Sequence, residues 1–138
     1  MVDLFAATSG TDSDFVVKVI DVYPGDYPAQ VELSGYQLPV VIDIFRGRYR
    51  DSFEHPSAIP AGQVQEYKFR LPTMNYIFQP GHRIMVQIQS TLFPLYDRNP
   101  QTFAADPFNP APDDYRKATI TVMRSAEAAS AVWLPIVP

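Results

Sequence analysis

The 138-residue sequence contains no cysteine and only two histidines, His55 and His82. The absence of cysteine excludes a disulfide framework and a thiolate metal site. Two histidines make a poor metal site unless carboxylates complete it, and nothing in their spacing predicts one. Each histidine adjoins a turn, which favours an ordinary turn or surface role over partnership with a nucleophile. We therefore expect no metal and no other cofactor.

Charge is also scarce, and no basic segment stands out. The formal net charge is -4, and the nearest approach to a basic run is the segment "RGRYR". Proteins that track phosphates carry a clear basic excess, so we expect no nucleic acid as partner. No apolar run approaches the roughly 20 residues of a membrane span, and no secretory signal is recognisable. We expect no membrane partner, and the sequence does not indicate a compartment.

The motifs of the common catalytic classes are missing as well. None of Ser9, Ser34 and Ser57 lies in the Gly-x-Ser-x-Gly elbow that a serine hydrolase of the α/β class requires. The HExxH, GxGxxG and P-loop patterns are absent too. The chain by itself is therefore predicted to be inactive as an enzyme.

What the sequence does contain is typical of a β protein. Aromatic residues make up 13%, there are 14 prolines, and apolar residues alternate with polar ones at a period of two. In "QEYKFRLP", Tyr67, Phe69 and Leu71 are predicted to face one way. In "HRIMVQIQS", Ile84, Val86 and Ile88 are predicted to point inward.

Further strands and turns complete the prediction of the fold. "DFVVKVIDVY" and "PVVIDIF" are more continuously apolar, as expected for central strands, and "KATITVM" and "AVWLPIV" supply two late strands. Turn signals lie between them in "YPGDYP", "IPAG" and "QPGH". The pattern predicts a single all-β domain over residues 1–138, an antiparallel β-sandwich or jelly roll.

Two long loops, 46–63 and 92–117, are predicted to be functional or packed against something. In the second loop, Phe93, Leu95, Tyr96 and Phe103 surround the polar trio Asp97, Arg98 and Asn99. At a typical interface, aromatic surface supplies the buried area, and the polar groups within it fix the relative position of the two partners. The alternative is that Arg98 staples its own loop through internal hydrogen bonds.

Two charged segments allow more than one interpretation. In "RGRYR", Arg46, Arg48 and Arg50 are predicted to lie on one side of an extended chain. They either clamp carboxylates of a neighbouring domain or form a solvated edge. The acidic pairs in "SGTDSDF" and "APDDY" fit calcium ligands or turn formers, and the turn role is favoured for both pairs, Asp12 with Asp14 and Asp113 with Asp114.

Several long stretches resemble one hydrolase family. The sequences "SGTDSDFVVKVIDVYPGD", "FPLYDRNPQT", "IFRGRYRDSF" and "LPIVP" are similar to the C-terminal domain of the Xaa-Pro dipeptidyl-peptidases, cocaine esterase and the α-amino acid ester hydrolases, which include cephalosporin acylases. The similarity runs from Leu4 to Pro138. The sequences of the last two segments most resemble the acylase and amino-ester hydrolase branch.

The resemblance implies a galactose-binding-like jelly roll that packs on an α/β-hydrolase domain. In that family the Ser-Asp-His triad lies in the hydrolase domain, upstream of this region. Compared with the family pattern, the sequence lacks the hydrolase domain, the helical cap and the first strand or strands of the jelly roll. The resemblance therefore implies that the chain is a C-terminal fragment of a larger α/β-hydrolase protein.

The function that follows is a non-catalytic domain that braces the hydrolase domain and shapes one wall of its substrate pocket. A carbohydrate-binding module is the alternative. An uncovered strand edge and a bare docking surface also predict self-association into a homo-oligomer. The residues expected at the domain interface are Phe93, Tyr96, Asp97, Arg98, Asn99, Arg46, Arg48 and Arg50.

Overall fold

The structure is a computed structural model that describes residues 1–136. Within that part of the chain there are nine strands: β1 Val2–Thr8, β2 Asp14–Val22, β3 Gln37–Arg46, β4 Gln65–Phe69, β5 Arg83–Gln89, β6 Ile120–Val122, β7 Arg124–Ser125, β8 Ala128–Ala129 and β9 Ala131–Val132. Single 3-10 turns lie at Val31–Leu33, Gly47–Tyr49 and Pro112–Asp114. The all-β prediction is confirmed. The last two residues of the predicted domain, Val137 and Pro138, lie outside the described residues.

The strands form two antiparallel sheets and a small hairpin. The first sheet has the order β4-β1-β6, with β9 also paired to β1, and the second has the order β3-β2-β5. Strands β7 and β8 pair only with each other among the described residues. The two larger sheets face one another, which confirms the predicted sandwich.

The core lies between the two sheets. From the first sheet, β1 alternates strictly and buries Val2, Leu4 and Ala6, while Tyr67 reaches inward from β4. From the second sheet, Phe15 packs on Tyr67 with ring centroids 4.3 Å apart. The inward face predicted for "QEYKFRLP" is correct, since Phe69 and Leu71 also pack against this cluster.

In the second sheet, β3 departs from the sequence prediction, and β5 is more exposed than its inward-facing side chains suggest. β2 is central and almost wholly buried, as predicted, but β3 is an edge strand that is mostly half-buried. The prediction that Ile84 and Val86 point inward is correct in direction, but they are not buried. They share a face with Val17 and Val19 of β2, yet their side chains remain 55% and 43% exposed because β5 lies at the other edge of the sheet.

Two of the three predicted turns have a glycine at positive φ, whereas Gly25 of "YPGDYP" does not, so the type II turn predicted there is wrong. Gly62 has φ 73° in the turn closed by the Gln63 amide and the Pro60 carbonyl. Gly81 has φ 85° in "QPGH", as a type II turn requires. No helix of the described residues is long and apolar enough to cross a membrane.

Candidate domain interface

Three loops meet at the end of the sandwich where β2 begins. They are residues 9–13 before β2, the segment that follows β3, and the long loop after β5. Backbone hydrogen bonds join them: Thr11 donates to the Gln101 carbonyl at 3.1 Å, and Ile59 donates to the Thr11 carbonyl at 2.8 Å. The two long loops predicted to pack against something therefore pack on each other and on the β1–β2 loop.

The deepest contact between these loops is the ion pair of Arg48 and Asp12. Arg48 Nε donates to Asp12 Oδ2 at 2.8 Å and Nη2 lies 2.6 Å from the same oxygen, with side chains 3% and 0% exposed. Arg48 Nη2 also donates to the Ala104 carbonyl at 3.1 Å, and the guanidinium lies over the Phe103 ring at 4.6 Å. One buried side chain thus ties all three loops together.

Gly47 makes this position of Arg48 possible. Its amide donates to the Ser13 carbonyl at 2.8 Å, so the chain after β3 lies directly against the β1–β2 loop. A Cβ on residue 47 would lie 2.8 Å from the Ser13 carbonyl oxygen and 2.7 Å from the Ile59 side chain. Glycine allows this close approach of backbones.

A second ion pair joins the end of β3 to the long loop. Arg46 donates from Nη1 and Nη2 to the two carboxylate oxygens of Asp97, at 3.1 and 2.7 Å. This bidentate pairing holds the pKa of Asp97 below its ordinary value and raises the pKa of Arg46. The Arg46 guanidinium also lies 5.0 Å from the centroid of the Phe108 ring.

The third polar contact joins Asp14 to Asn99. Asn99 Nδ2 donates to Asp14 Oδ1 at 2.9 Å, while Asn99 Oδ1 accepts the Gln101 amide at 2.8 Å. Within residues 1–136, Asp14 Oδ2 is buried and has no hydrogen-bond partner. Burial raises the pKa of Asp14 to about 6, although the Asn99 hydrogen bond and the Arg46 charge oppose the shift.

We call these three contacts the polar layer. Its members are Asp12, Asp14, Arg46, Arg48, Asp97 and Asn99. It lies under the long loop and is made entirely of groups from this chain.

Arg50 has a different role. It donates to the Ser57 carbonyl at 3.1 Å and to the Ala58 carbonyl at 2.8 Å, which fixes the segment after the 3-10 turn. The prediction of an extended row with three arginines on one side is wrong, because Gly47–Tyr49 forms a 3-10 turn that sends the arginines to separate partners. The three guanidinium groups avoid mutual repulsion because each has its own acceptors.

Arg98 also lies outside the polar layer, and its contacts differ from those of the three arginines of "RGRYR". Its guanidinium lies over the rings of Phe93 and Tyr115, with centroids 5.3 and 5.7 Å away. Residues 1–136 give it no hydrogen bond or ion pair, so the staple through internal hydrogen bonds is not formed. The side chain is exposed.

Exposed apolar side chains occur in the same loop as Arg98, and two of them, Phe93 and Tyr115, lie beneath its guanidinium. Phe93 is 63% exposed, Leu95 70% and Phe108 68%, and Tyr115 is also exposed. We call Phe93, Leu95, Arg98, Phe108 and Tyr115 the aromatic surface. Tyr96, also predicted at the interface, is half-buried and its amide donates to the Leu92 carbonyl at 3.1 Å.

The structure thus separates the eight predicted interface residues into two groups. Asp97, Asn99 and the three arginines of "RGRYR" are paired within this chain, whereas Phe93 and Arg98 face outward and Tyr96 lies between. Sequence reasoning missed Phe108 as a surface residue and Asp12 and Asp14 as partners. The signal that could have identified those aspartates is that the acidic segment "SGTDSDF" and the arginine segment "RGRYR" are of similar length and opposite charge.

The remaining chemical candidates have local structural roles. His82 is buried, with Nδ1 2.9 Å from Asp21 Oδ2, and Tyr76 donates to that oxygen at 2.6 Å. The amide of His55 donates to Ser52 Oγ in an exposed turn. Asp114 accepts the Ala111 amide, and the described residues contain no group of three or more potential metal ligands.

Comparisons with known proteins give a consistent result. The profile of the X-Pro dipeptidyl-peptidase C-terminal non-catalytic domain matches residues 1–132. Cocaine esterase from Rhodococcus sp. (strain MB1 Bresler) is 38% identical over 99 residues, which is 72% of this chain and 16% of that protein.

Two solved structures are similar over most of the chain. An alpha-amino acid ester hydrolase labelled with selenomethionine has 55% identity and a TM-score of 0.91. An aminopeptidase from the marine sediment archaeon Thaumarchaeota archaeon has 51% identity and a TM-score of 0.91. Each match covers 94% of this chain and 21% of the solved chain, so this chain spans about a fifth of their length.

Proposed function

Because the chain belongs to the family of X-Pro dipeptidyl-peptidase C-terminal non-catalytic domains, we propose that it docks on the α/β-hydrolase domain of a larger serine hydrolase. In this role it braces the hydrolase domain and forms one wall of the substrate pocket. The reaction of such a hydrolase is acyl transfer from an ester or amide, and this chain contributes shape and rigidity to it.

The observation that carries the proposal is the exposed Arg98 among exposed apolar side chains. Exposed apolar residues that adjoin one another, with an arginine among them, are typical of the centre of a protein interface. An arginine with free donors can bind a carboxylate or several backbone carbonyls of a partner. Arg98 therefore supplies the specific contact, and Phe93 and Leu95 supply the area that is buried.

The polar layer supports the docking role from beneath. The loop that presents the aromatic surface is fixed at Asp97 by Arg46 and at Asn99 by Asp14. A surface that is already ordered before binding loses little conformational entropy on docking. The four residues of the polar layer that were predicted at the interface, Arg46, Arg48, Asp97 and Asn99, thus contribute indirectly, by positioning Phe93 and Arg98.

The alternative of a carbohydrate-binding module has less support. Sugar recognition requires an aromatic platform with free polar groups next to it. In the described residues the acid and the amide next to Arg98 in sequence, Asp97 and Asn99, are already engaged by Arg46 and Asp14. These two groups are therefore not free to bind a sugar.

The test uses the complete gene product in which this chain occurs. We expect the double substitution Phe93→Ser with Arg98→Ala to loosen domain docking, so that limited proteolysis releases the C-terminal domain faster and ester hydrolysis falls at least several-fold. The matched control is Val31→Ser, which removes a 69% exposed apolar side chain at the opposite end of the sandwich. Unchanged proteolysis and activity in the double variant would reject the docking role of this surface.

A further inference from the structure

Two cross-strand neighbours in the second sheet hold the loop that presents Arg98. Asp14 and Arg46 lie directly opposite each other in the antiparallel β2–β3 pair. Side chains at such positions lie on one face of the sheet, with Cβ atoms about 4.5–5.5 Å apart. Arg46 binds Asp97 through its guanidinium. Asp14 binds Asn99, so the two contacts hold the loop immediately before and after Arg98.

The side chain of Asp14 has no bound counter-ion. Asp14 is 1% exposed, its Oδ1 accepts a hydrogen bond from Asn99, and its Oδ2 has no partner among residues 1–136. Arg46 lies near Asp14, but its hydrogen bonds go to both oxygens of Asp97. A buried carboxylate without a bound cation takes up a proton rather than keep its charge. This geometry favours a neutral Asp14 whose proton is on Oδ2.

The charges that face Asp14 come from three elements. Asp12 of the β1–β2 loop and Asp97 of the long loop repel a negative charge on this side chain. Arg46, at the end of β3, attracts it. Arg48, in the adjoining 3-10 turn, is already bound to Asp12. Of these groups, Arg46 is therefore the one that an ionised Asp14 can bind.

The other elements packed on this end of β2 supply no second cation in the described part of the chain. The ladder between β2 and β5 begins with Val16 opposite Gln89, and both are uncharged. From the facing sheet, Tyr67 packs on Phe15, and burial raises the pKa of Tyr67 to about 12, so its hydroxyl stays neutral.

We propose that Arg46 is a shared counter-ion and that ionisation of Asp14 draws it away from Asp97, which loosens the loop that carries the aromatic surface. The side chain of Asp97 is 38% exposed, so water can hydrate it once Arg46 has left. The same movement takes the guanidinium from the Phe108 ring, which it now contacts at 5.0 Å. The loop is then held at Asn99 but no longer at Asp97.

This inference rests on the proposed docking role and adds a regulation by pH to it. While Asp14 is protonated, the loop is ordered before binding and docking costs little conformational entropy. Once Asp14 has ionised, docking has to restore the contact between Arg46 and Asp97. The pKa of Asp14 is about 6, so docking should weaken as the pH rises through that value.

The first experiment follows the carboxyl carbons of Asp14 and Asp97 by nuclear magnetic resonance of this 138-residue chain as the pH is raised. We expect both signals to move at one midpoint, because Asp97 loses its partner as Asp14 ionises. In Asp97→Asn, Arg46 is free to bind Asp14, so the midpoint should fall by about 1 pH unit or more. Asp113→Asn, the same change at an exposed position of the long loop, should leave the midpoint unchanged. An unchanged midpoint in Asp97→Asn would overturn the proposal.

Loss of the Asp97 charge also removes a repulsion, so Asp97→Asn is repeated together with Arg46→Gln. Without the guanidinium there is no counter-ion to transfer, and we expect Asp97→Asn to lower the midpoint less than it does when Arg46 is present. A fall of equal or larger size in the Arg46→Gln background would assign the effect to repulsion alone and would contradict a shared counter-ion.

The second experiment measures docking in the complete gene product by limited proteolysis on either side of pH 6. In Asp14→Asn, residue 14 stays neutral and Arg46 stays on Asp97. The rate at which the C-terminal domain is released from the unsubstituted protein, divided by the rate for this variant, should rise several-fold as the pH increases. A constant ratio would overturn the proposal. The docking role is judged separately by the double variant Phe93→Ser with Arg98→Ala, so the two failures are distinguishable.

Discussion

Arg48 and Arg98 lie in the two regions of the loop end that differ most, the polar layer and the aromatic surface. Both guanidinium groups lie over phenylalanine rings, Arg48 over Phe103 at 4.6 Å and Arg98 over Phe93 at 5.3 Å. Arg48 is 3% exposed and ion-paired with Asp12, whereas Arg98 is exposed and has no ion pair among the described residues. The same residue type in adjacent loops therefore serves the fold in one place and remains available in the other.

This difference shows why the number of charged residues in a segment does not reveal an interface. An arginine whose N–H donors are satisfied inside its own chain has few free donors for a partner. An arginine stacked on exposed rings keeps its donors and is held in place. The contrast between the two regions can be tested by substitutions that affect one region and leave the other intact.

The largest effect is expected from Arg48→Met. Removing the guanidinium leaves the Asp12 carboxylate buried without its charge partner, which costs about 3–5 kcal/mol of unfolding free energy. Urea unfolding followed by circular dichroism measures it. The matched control is Arg98→Met, which makes the same chemical change outside the polar layer.

A double variant sharpens the same comparison. Adding Asp12→Leu to Arg48→Met removes both charges, and apolar replacements of buried ion pairs are often neutral or stabilising. We expect the double variant to recover much of the stability lost by the single one. Equal losses in Arg48→Met and Arg98→Met would contradict the distinction between the two regions.

A medium effect that depends on pH is expected from Asp14→Asn. The pKa of Asp14 is about 6 in the folded chain against an ordinary 3.8, so the folded state holds a proton that the unfolded chain releases between these values. Stability from this group is fully present below pH 3.8 and is lost as pH rises through about 6. The loss approaches about 3 kcal/mol.

The asparagine variant cannot ionise and still accepts the Asn99 hydrogen bond. The difference in unfolding free energy between the variant and the unsubstituted chain should therefore change in favour of the variant as the pH rises from 4 to 7. Asp97, whose pKa is lowered, acts in the opposite direction, but it is present in both chains and cancels in the difference. Exposed Asp26→Asn is the control, and parallel pH profiles for Asp14→Asn and the unsubstituted chain would refute the assignment.

The smallest effect on the isolated chain is expected from Arg98→Ala. Exposed substitutions away from structural features usually change the unfolding free energy by no more than about 0.5 kcal/mol. The melting temperature measured by calorimetry should therefore stay nearly constant. A drop of several degrees would mean that Arg98 stabilises its own loop, and the aromatic surface would lose its specific contact.

Much of the fold could be predicted from the sequence because local patterns determine it. The alternation of apolar and polar residues around Tyr67 indicates which face of β4 is buried, and the continuous apolar run of β2 indicates that both of its faces are buried. For β5 the same alternation was present, but burial depends on whether a further strand lies beside it. The sequence of a strand cannot report its position in the sheet, which is why the exposure of Ile84 and Val86 could not be predicted.

The candidate site was less predictable because its contacts span long distances in sequence. Arg46 and Asp97 were both expected at an interface with another domain, and instead they pair with each other. Nothing local distinguishes an arginine that binds its own chain from one that binds a partner. The 3-10 turn Gly47–Tyr49 sends Arg48 to Asp12, and the turn itself depends on contact with Ser13, which is distant in sequence.

The spacing of the polar layer along the chain also bears on its synthesis. Arg48 follows Asp12 by 36 residues, and Asn99 follows Asp14 by 85. During translation from the N-terminus, Asp14 emerges long before its amide partner exists, and the β2–β5 pairing must wait as well. Until the ribosome has made the long loop, these carboxylates remain hydrated, so the polar layer can close only after Asn99 has emerged.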